Sequence, residues 1–206
     1  MYRNRNPVSL SGMWYSIQQA DRYLFGLINQ DWQHPVLDTV MPFLRNQYLW
    51  APVYLFLLAF AGINFRKQAG WWVLFFLFTF AITDLVSTQV IKAFVQRPRP
   101  CWDGVTAHTA RMLIPCSHAY SFVSSHAANH FGISVFIIFT LRQLAGKWVW
   151  LALPWALLVC YAQVYVGAHF PFDIAGGAAL GMVVGSITAA RYLKAFGNSR
   201  APGRLF

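Results

Sequence analysis

The stretch GWWVLFFLFTFAITDLVSTQVIK at residues 70–92 decides the fold class, because it is apolar over the thickness of a lipid bilayer. At 1.5 Å per residue, a helix over this stretch spans roughly 33 Å, which is enough to cross the hydrocarbon core of a membrane. The stretch contains one acidic residue, Asp84, and it ends on Lys92. It therefore predicts a membrane-spanning helix.

Four further stretches with few or no charges predict that the rest of the chain is also embedded in the membrane. They cover residues 46–64, 126–141, 148–168 and 173–190. Stretch 126–141 is short for a span, so we expect it to include residues upstream or to pack inside the bundle. The last stretch carries Gly177, Gly181 and Gly185, a four-residue repeat that lets a neighbouring helix approach closely.

The composition supports the same fold class. Of the 206 residues, 57% are hydrophobic and 11% are charged, whereas a soluble domain typically carries about 25% charged residues. These values exclude an ordinary soluble protein and a disordered chain. We therefore predict an all-α protein, an integral membrane bundle of about five or six transmembrane helices.

The N-terminal residues 1–45 differ from the rest of the chain. Apolar residues recur at helical spacing over residues 13–28, and polar residues occupy the rest of the helical wheel, which predicts an amphipathic helix that lies on the membrane. A short second helix is expected at about residues 36–44. The predicted organisation is completed by a membrane-embedded core at residues 46–195 and a basic tail at residues 196–206.

The charge balance bears on partners and on topology. The chain has 16 Lys and Arg against 6 acidic residues, all of them Asp, for a net charge of +10. The basic residues lie mostly between apolar stretches, where they suit lipid headgroups rather than nucleic acid.

Lys and Arg are equally numerous on the two sides of the predicted bundle. If the cations of residues 92–99 are held by a ligand and are discounted, the positive-inside rule puts turns 66–67 and 142–147 in the cytoplasm and the long loop 93–125 outside.

Polar residues from four segments are predicted to meet at one end of the spans. They are Lys92, Arg97 and Arg99 after the second stretch, Ser124, Ser125 and His126 at the start of the third, and His169 and Asp173 between the fourth and the fifth. Ionisable residues at membrane depth are costly and mark functional sites. Fixed lysine and arginine side chains suit a phosphate group, and a helix that begins at the two serines would direct free N–H groups at the same anion.

His169 and Asp173 are four residues apart across a Phe-Pro turn, so the carboxylate can hold one imidazole nitrogen and leave the other as a nucleophile or base. His126 adds a second imidazole, which is a candidate general acid. Anion-binding groups, an oriented nucleophile and a proton donor are what cleavage of a phosphate ester requires. His130 lies four residues after His126, but no carboxylate or cysteine accompanies the pair at ligand spacing, so no metal site is expected.

These residues carry three spaced motifs, and through them the chain resembles the type 2 phosphatidic acid phosphatase family, which shares its core with the vanadium haloperoxidases. The family motifs are Lys, six residues and Arg-Pro; then Pro-Ser-Gly-His; then Ser-Arg, five residues, His, three residues and Asp. They read here as Lys92 to Arg99-Pro100, as Val123-Ser124-Ser125-His126, and as Ala162-Gln163 followed by His169 and Asp173. The resemblance covers about residues 70–193, in the family's order.

The resemblance implies a role for each matched residue. His169 would attack phosphorus and form a phosphohistidine, Asp173 would orient His169, and His126 would protonate the leaving oxygen. The phosphoryl oxygens would be bound by Lys92, Arg99, Ser124 and Ser125. The family's phosphatases need no metal, so no cofactor is expected.

The departure that matters most is Gln163, which stands where the family carries a phosphate-binding arginine. Glutamine keeps a hydrogen-bond donor but loses the positive charge. Either Arg97 or Arg111 supplies the positive charge that Gln163 lacks, or the pocket binds a substrate that carries less charge at that point. An inactive relative is a further alternative, although the nucleophile, its orienting carboxylate and the acid are all present.

The residues and the resemblance together predict an integral membrane lipid phosphatase, with the bilayer and a lipid phosphate or diphosphate as its partners. Undecaprenyl diphosphate is the first candidate substrate, followed by phosphatidylglycerophosphate, phosphatidate and lipid A phosphate. A bacterial inner membrane is the expected location, with the active site on the extracytoplasmic side. Two alternatives stay open: a lipid phosphotransferase that uses the same intermediate, and a membrane transporter built around the cationic site.

Cys101 and Cys116 both lie in the long loop between the second and third stretches. If that loop is extracytoplasmic, a disulfide between them is allowed, and closing a loop of about 15 residues would contribute on the order of 3 kcal/mol. The sequence leaves the disulfide and two free thiols as alternatives. Cys160 lies inside an apolar stretch and is interpreted as a buried apolar residue.

Overall fold

The structure, a computed structural model, describes residues 10–197, and every regular element within this range is helical. The α-helices are α1 Leu10–Gly26, α2 Pro35–Leu44, α3 Ala51–Phe65, α4 Ala69–Leu85, α5 Lys92–Val95, α6 Ser125–Ala145, α7 Ala152–Tyr165 and α8 Pro171–Phe196. A π-helical segment, Val86–Ile91, joins α4 to α5. Residues 1–9 of the predicted interfacial segment and residues 198–206 of the predicted basic tail lie outside the described range.

Four segments are long and apolar enough to cross a membrane. They are Gln47–Phe65, Ala69–Val95, Ser125–Tyr165 and Pro171–Phe196. The third contains two helices, α6 and α7, which pack against each other on either side of a turn at Gly146. Gly146 has a φ of 55°, a left-handed conformation that glycine adopts without steric cost. The predicted all-α membrane bundle is confirmed, and the predicted stretches 126–141 and 148–168 correspond to α6 and α7.

Helix α6 is the central helix of the bundle, and most of its residues are buried, as expected for a short stretch that packs inside. It packs most extensively against α8, which presents Gly177, Gly181 and Gly185 to the backbone of α6. A methyl group added at Gly181 would collide with the carbonyl oxygen of Ala128, and one added at Gly185 would collide with that of Gly132. The close helix approach predicted from the glycine repeat is therefore confirmed.

Helices α1 and α2 dock on the bundle together with the loop of residues 96–124, and we call these three elements the docking layer. They are held by arginine–aspartate pairs that link residues far apart in the chain. The pairs are Arg22–Asp103 at 2.8 Å, Arg97–Asp21 at 2.6 Å and Arg111–Asp38 at 2.6 Å. Helix α2 begins at Pro35, a favoured first residue of a helix, and covers almost the same residues as the helix predicted at 36–44.

Helix α1 carries one acidic residue into the interior. Asp21 is 1% exposed and Phe25 is also buried, whereas Tyr23 on the opposite side of the helix is exposed. The carboxylate of Asp21 accepts hydrogen bonds from Arg97 at 2.6 Å and from the N–H of Phe172 at 2.9 Å. Phe172 belongs to the first turn of α8, whose N–H groups have no partner within the helix, so an acidic side chain is favourable there.

A disulfide links Cys101 to Cys116 in the loop between α5 and α6, with the two Cα atoms 6.3 Å apart. Of the two alternatives that the sequence leaves, the structure has the bonded one. Cys160 is buried on α7, in agreement with its interpretation as an apolar residue.

Candidate active site

Polar residues from α5, α6 and α8 lie together at one end of the bundle. Lys92, at the start of α5, donates from Nζ to the hydroxyl of Ser125 at 3.2 Å. The N–H of Ser124 donates to the carbonyl of Asp173 at 3.0 Å, so the start of α6 is joined to the start of α8. Ser124 also caps α6, since its hydroxyl accepts from the N–H of Ala127. Two helix N-termini, which both favour anions, therefore meet at this point.

Asp173 lies beside His169 and is held by several donors. Its Oδ2 lies 3.5 Å from Nδ1 of His169, accepts the N–H of Phe170 at 2.9 Å, and accepts the hydroxyl of Ser121. Its Oδ1 accepts from Nη1 of Arg97 at 2.7 Å. Asp173 is the third residue of α8, a position from which an acidic side chain reaches back to the N–H of the residue that caps the helix.

The imidazole of His169 has one nitrogen directed at protein groups. Nδ1 faces Asp173 and lies 3.4 Å from the hydroxyl of Ser121, whereas Nε2 has no hydrogen-bond partner among the described residues. His169 is 2% exposed, and this burial lowers its pKa to about 4, although the hydrogen bond to Asp173 acts in the opposite direction. At neutral pH the ring is therefore uncharged and has the lone pair that a nucleophile needs.

The two arginines that the sequence offers in place of the family arginine are both paired with carboxylates. Arg97 donates to Asp173 through Nη1 and to Asp21 through Nη2. Arg111 donates to Asp38 at 2.6 Å. The pairing of both guanidiniums with carboxylates disfavours the alternative in which one of them compensates for the charge that Gln163 lacks. Arg97 holds the carboxylate beside the histidine, and Arg111 holds α2, because each guanidinium is already neutralised by its aspartate partner.

Three cations at this end of the bundle have no carboxylate partner within the described residues 10–197. We call this group the cation pocket, and it consists of Lys92, Arg99 and Arg45. Arg99 donates to the backbone carbonyls of Ala119 at 2.7 Å and Ala168 at 3.0 Å. Burial lowers the pKa of Arg99, because its charge is taken partly out of water and the attraction of Asp173 does not offset this loss of hydration. Partly buried cations in this state favour an anionic ligand.

Arg45 is a candidate that sequence reasoning missed. It follows α2, and its Nε donates to the side-chain oxygen of Gln163 on α7 at 3.3 Å. The backbone carbonyl of Gln163 in turn accepts the N–H of His169 at 3.3 Å. The sequence holds no signal for this contact, because a single arginine beside an apolar helix is typical of a membrane interface. The two partners are also 118 residues apart.

A groove of about 420 Å³ extends from His126 into the bundle between α3, α4 and α6. Polar side chains at the end of α4 and the start of α6 line one part of it, among them Asp84, Ser125, His126 and Asn129. Apolar side chains line the part deeper in the bundle, among them Leu57, Leu77, Phe80 and Ile133. A groove with one polar and one apolar part suits an amphiphilic molecule.

Known proteins share this architecture. The sequence model of the PAP2 superfamily matches residues 69–196 of the chain. Lipid A 4'-phosphatase of Porphyromonas gingivalis is 29% identical over 87% of this chain and 75% of its own length. Undecaprenyl-diphosphatase BcrC of Bacillus subtilis is 31% identical over 73% of this chain and 72% of its own length.

A solved structure is similar over nearly the whole chain. The crystal structure of the first transmembrane PAP2 type phosphatidylglycerolphosphate phosphatase from Bacillus subtilis has a TM-score of 0.66 and 25% sequence identity, and the match covers 92% of this chain and 90% of that one. The three motifs lie within the region that the superfamily model matches, whereas Arg45 lies before it.

Proposed function

The chain belongs to the PAP2 superfamily, and we propose that it is an integral membrane phosphatase that hydrolyses a lipid phosphate or diphosphate. The observation that carries this proposal is the cation pocket, whose three cations have no carboxylate partner among the described residues and include two, Lys92 and Arg99, that act electrostatically on the imidazole of His169. The imidazole of His169 directs Nδ1 at Asp173, so its other nitrogen is left to meet phosphorus. The lipid phosphatases among the relatives support the same class of reaction.

In the proposed mechanism, Nε2 of His169 attacks phosphorus, and the bond between phosphorus and the leaving oxygen breaks. His126 gives a proton to that oxygen, while Asp173 stabilises the charge on the phosphohistidine. Water then attacks phosphorus and gives a proton to His126, while the bond between phosphorus and Nε2 of His169 breaks and its electron pair returns to the imidazole. Inorganic phosphate leaves, and both imidazoles return to their starting state.

The anion would be held by side chains and by helix N-termini. Lys92 and Arg99 supply positive charge, and Ser124 and Ser125 stand at the N-terminus of α6, where backbone N–H groups favour phosphoryl oxygens. Because these groups provide the charge that a divalent cation provides in other phosphatases, we propose that turnover is independent of metal.

The groove beside His126 supports a lipid as the substrate. Its polar part adjoins the residues proposed to meet the phosphate, and its apolar part is suited to a hydrocarbon chain. The leaving oxygen of such a lipid would lie near His126, the proposed acid. Undecaprenyl diphosphate is our first candidate, followed by phosphatidylglycerophosphate, phosphatidate and lipid A phosphate, and the names of the relatives include three of these four lipid classes.

We further propose that the site faces the extracytoplasmic side of a bacterial inner membrane. The disulfide between Cys101 and Cys116 lies in the loop that leads from Arg99 to α6, on the same side as the cation pocket. Disulfides persist in oxidising compartments, which favours an extracytoplasmic loop. The basic turns at residues 66–67 and 142–147 would then lie in the cytoplasm, in agreement with the positive-inside rule.

The test is phosphate release by the purified full chain in detergent, measured over the four candidate lipids with and without EDTA. The wild type should release phosphate from at least one lipid in both conditions. His169→Ala should reduce turnover by about 10⁴-fold or more, because the remaining groups bind the substrate but supply no nucleophile. His118→Ala is the matched control, since His118 is an exposed loop histidine that stacks on Trp102, and it should keep full turnover.

Three results would contradict the proposal in different ways. Release from none of the four lipids would overturn the substrate class, and full turnover by His169→Ala would overturn the nucleophile. Transfer of labelled phosphate to an acceptor lipid, in place of release, would identify a phosphotransferase.

A further inference from the structure

We propose that Arg45 is a phosphate-binding residue that takes the place of the arginine carried by the family at the position of Gln163. This inference rests on the proposed function, because it assigns a group to the same phosphate site. Arg45 lies before the region that the superfamily model matches, so it is not part of the three motifs. The charge that the third motif lacks would thus be supplied by a different element of the chain.

The contact between Arg45 and Gln163 links the guanidinium to the residue whose backbone carbonyl is bonded to His169. Nε of Arg45 donates to Oε1 of Gln163 at 3.3 Å, and the backbone carbonyl of Gln163 accepts the N–H of His169 at 3.3 Å. The charge of Arg45 also lies within electrostatic range of Arg99 and His126. Because only Nε is engaged by Gln163, the two terminal nitrogens can form the forked contact that arginine makes with phosphoryl oxygens.

The ionic surroundings of Arg45 distinguish it from its neighbours. Arg22, Arg97 and Arg111 of the docking layer each pair with an aspartate, whereas Arg45 is half-buried and has no carboxylate partner among the described residues. Burial lowers the pKa of Arg45, as expected for a guanidinium that is partly removed from water without a counter-ion. An anionic ligand would compensate this charge.

The amide of Gln163 gives a second, independent indication of a ligand. Gln163 is 0% exposed, and its Nε2 has no hydrogen-bond partner among the described residues. A buried donor without an acceptor is costly, and native structures seldom leave one unpaired. A phosphoryl oxygen bound by Arg45 would lie close to this amide and can accept its N–H. Glutamine at this position would therefore fix Arg45 through its oxygen and bind the anion through its nitrogen.

Helix α2 is fixed against α7, so Arg45 is held in place rather than carried on a loose segment. The hydroxyl of Tyr165 donates to Asp38 at 2.6 Å and accepts the N–H of His34 at 3.1 Å. Arg111 donates to the same aspartate at 2.6 Å. Tyr165 follows Gln163 by two residues on α7, so the element that binds α2 is also the element that carries the amide.

The experiment removes the positive charge at position 45 on the segment that follows α2 and restores it at position 163 on α7. Four variants of the full chain, Arg45→Ala, Arg45→Lys, Arg45→Ala with Gln163→Arg, and Arg142→Ala, are compared with the wild type. The readouts are kcat/KM for the best lipid phosphate, the inhibition constant of inorganic phosphate, and the thermal unfolding midpoint. Arg142 is the matched control because it is an exposed arginine in the last turn of α6, away from the site.

Arg45→Ala should weaken inhibition by inorganic phosphate and lower kcat/KM by about 10- to 100-fold, the range expected for loss of a charged hydrogen bond. Its unfolding midpoint should stay near that of the wild type. The kcat/KM and phosphate inhibition of Arg45→Lys should lie between those of the wild type and Arg45→Ala, because lysine keeps the positive charge but lacks the two parallel donors of a guanidinium. The double variant should regain at least about tenfold over Arg45→Ala, and Arg142→Ala should behave as the wild type.

The proposal is overturned if Arg45→Ala keeps the wild-type kcat/KM and phosphate inhibition, or if a folded double variant is no better than Arg45→Ala. If the double variant does not fold, the proposal is tested by comparing kcat/KM and phosphate inhibition of the wild type, Arg45→Lys and Arg45→Ala alone. Equal values for these three proteins would refute it. If the wild type hydrolyses no lipid, the proposed function fails. Binding of inorganic phosphate, measured by calorimetry, then still tests Arg45, and equal affinity of wild type and Arg45→Ala would refute its role.

Discussion

The docking layer and the cation pocket lie side by side at one end of the bundle, and both are rich in arginine, but the surroundings of their cations are opposite. In the docking layer, each arginine of the three pairs lies within 2.8 Å of an aspartate oxygen. In the cation pocket, no described residue supplies a carboxylate to any of the three cations. The same residue type is therefore used in two ways within a short distance.

This difference separates cations that stabilise the fold from cations that are left for a ligand. A guanidinium that is neutralised by a buried carboxylate has little attraction for a further anion, and its loss leaves the carboxylate buried and unpaired. A cation without a partner contributes little to the fold but raises the affinity for a phosphate. Substitutions in the two regions should thus affect different measurements.

The largest effect on stability is expected for Arg97→Met. This change removes the partner of two carboxylates that are almost completely buried, Asp21 at 1% and Asp173 at 0% side-chain exposure. Loss of one partner from a buried ion pair costs about 3–5 kcal/mol, so the thermal unfolding midpoint in detergent should fall clearly. Activity should fall as well, because Asp173 would lose the donor that holds its Oδ1.

The matched control for Arg97→Met is Arg99→Met, since both arginines lie two residues apart in the same loop. Arg99 donates to two backbone carbonyls and to no carboxylate within the described part of the chain. This variant should lose about 100-fold in kcat/KM while its unfolding midpoint falls much less than that of Arg97→Met. The distinction between the two regions would be refuted if Arg99→Met were the less stable variant and Arg97→Met the less active one.

A smaller effect is expected for Arg111→Met within the docking layer itself. Its partner Asp38 has 34% side-chain exposure, and exposed ion pairs contribute little because water competes for both charges. The unfolding midpoint should fall by no more than about 2 °C, and raising the salt concentration should remove the difference from the wild type. A loss as large as that of Arg97→Met would show that α2 depends on this pair more than its exposure indicates.

Local patterns in the sequence predict much of the fold. Residues 70–92 predict a membrane-spanning helix because the apolar length of a helix must match the bilayer, and α4 with the following π-helical segment occupies them. The glycines at 177, 181 and 185 predict the contact with α6, because only a residue without a side chain permits it. Both predictions rest on physical limits that act on one segment at a time.

Sequence patterns give less information about which polar residues contact one another in and around the site. His169 and Asp173 are neighbours on one turn, so their spacing alone brings them together. Asp21 meets Arg97 across 76 residues, and Arg45 meets Gln163 across 118, without any periodicity that links them. Which arginine is neutralised depends on how α1 and α2 dock, and a sequence pattern carries no direct record of that. For this reason the sequence offers Arg97 and Arg111 as alternatives for the missing charge and gives no indication of Arg45.

We infer that the three cations of the cation pocket, which have no carboxylate partner in residues 10–197, bind the phosphoryl group that His169 attacks. The most direct measurement is a crystal structure of the full chain soaked with tungstate, a tetrahedral oxyanion that anomalous scattering locates without ambiguity. We expect one tungstate within hydrogen-bond distance of Lys92, Arg99 and Arg45 and adjacent to Nε2 of His169. Tungstate bound at Arg97 or Arg111 instead, with the space among the three cations empty, would contradict it.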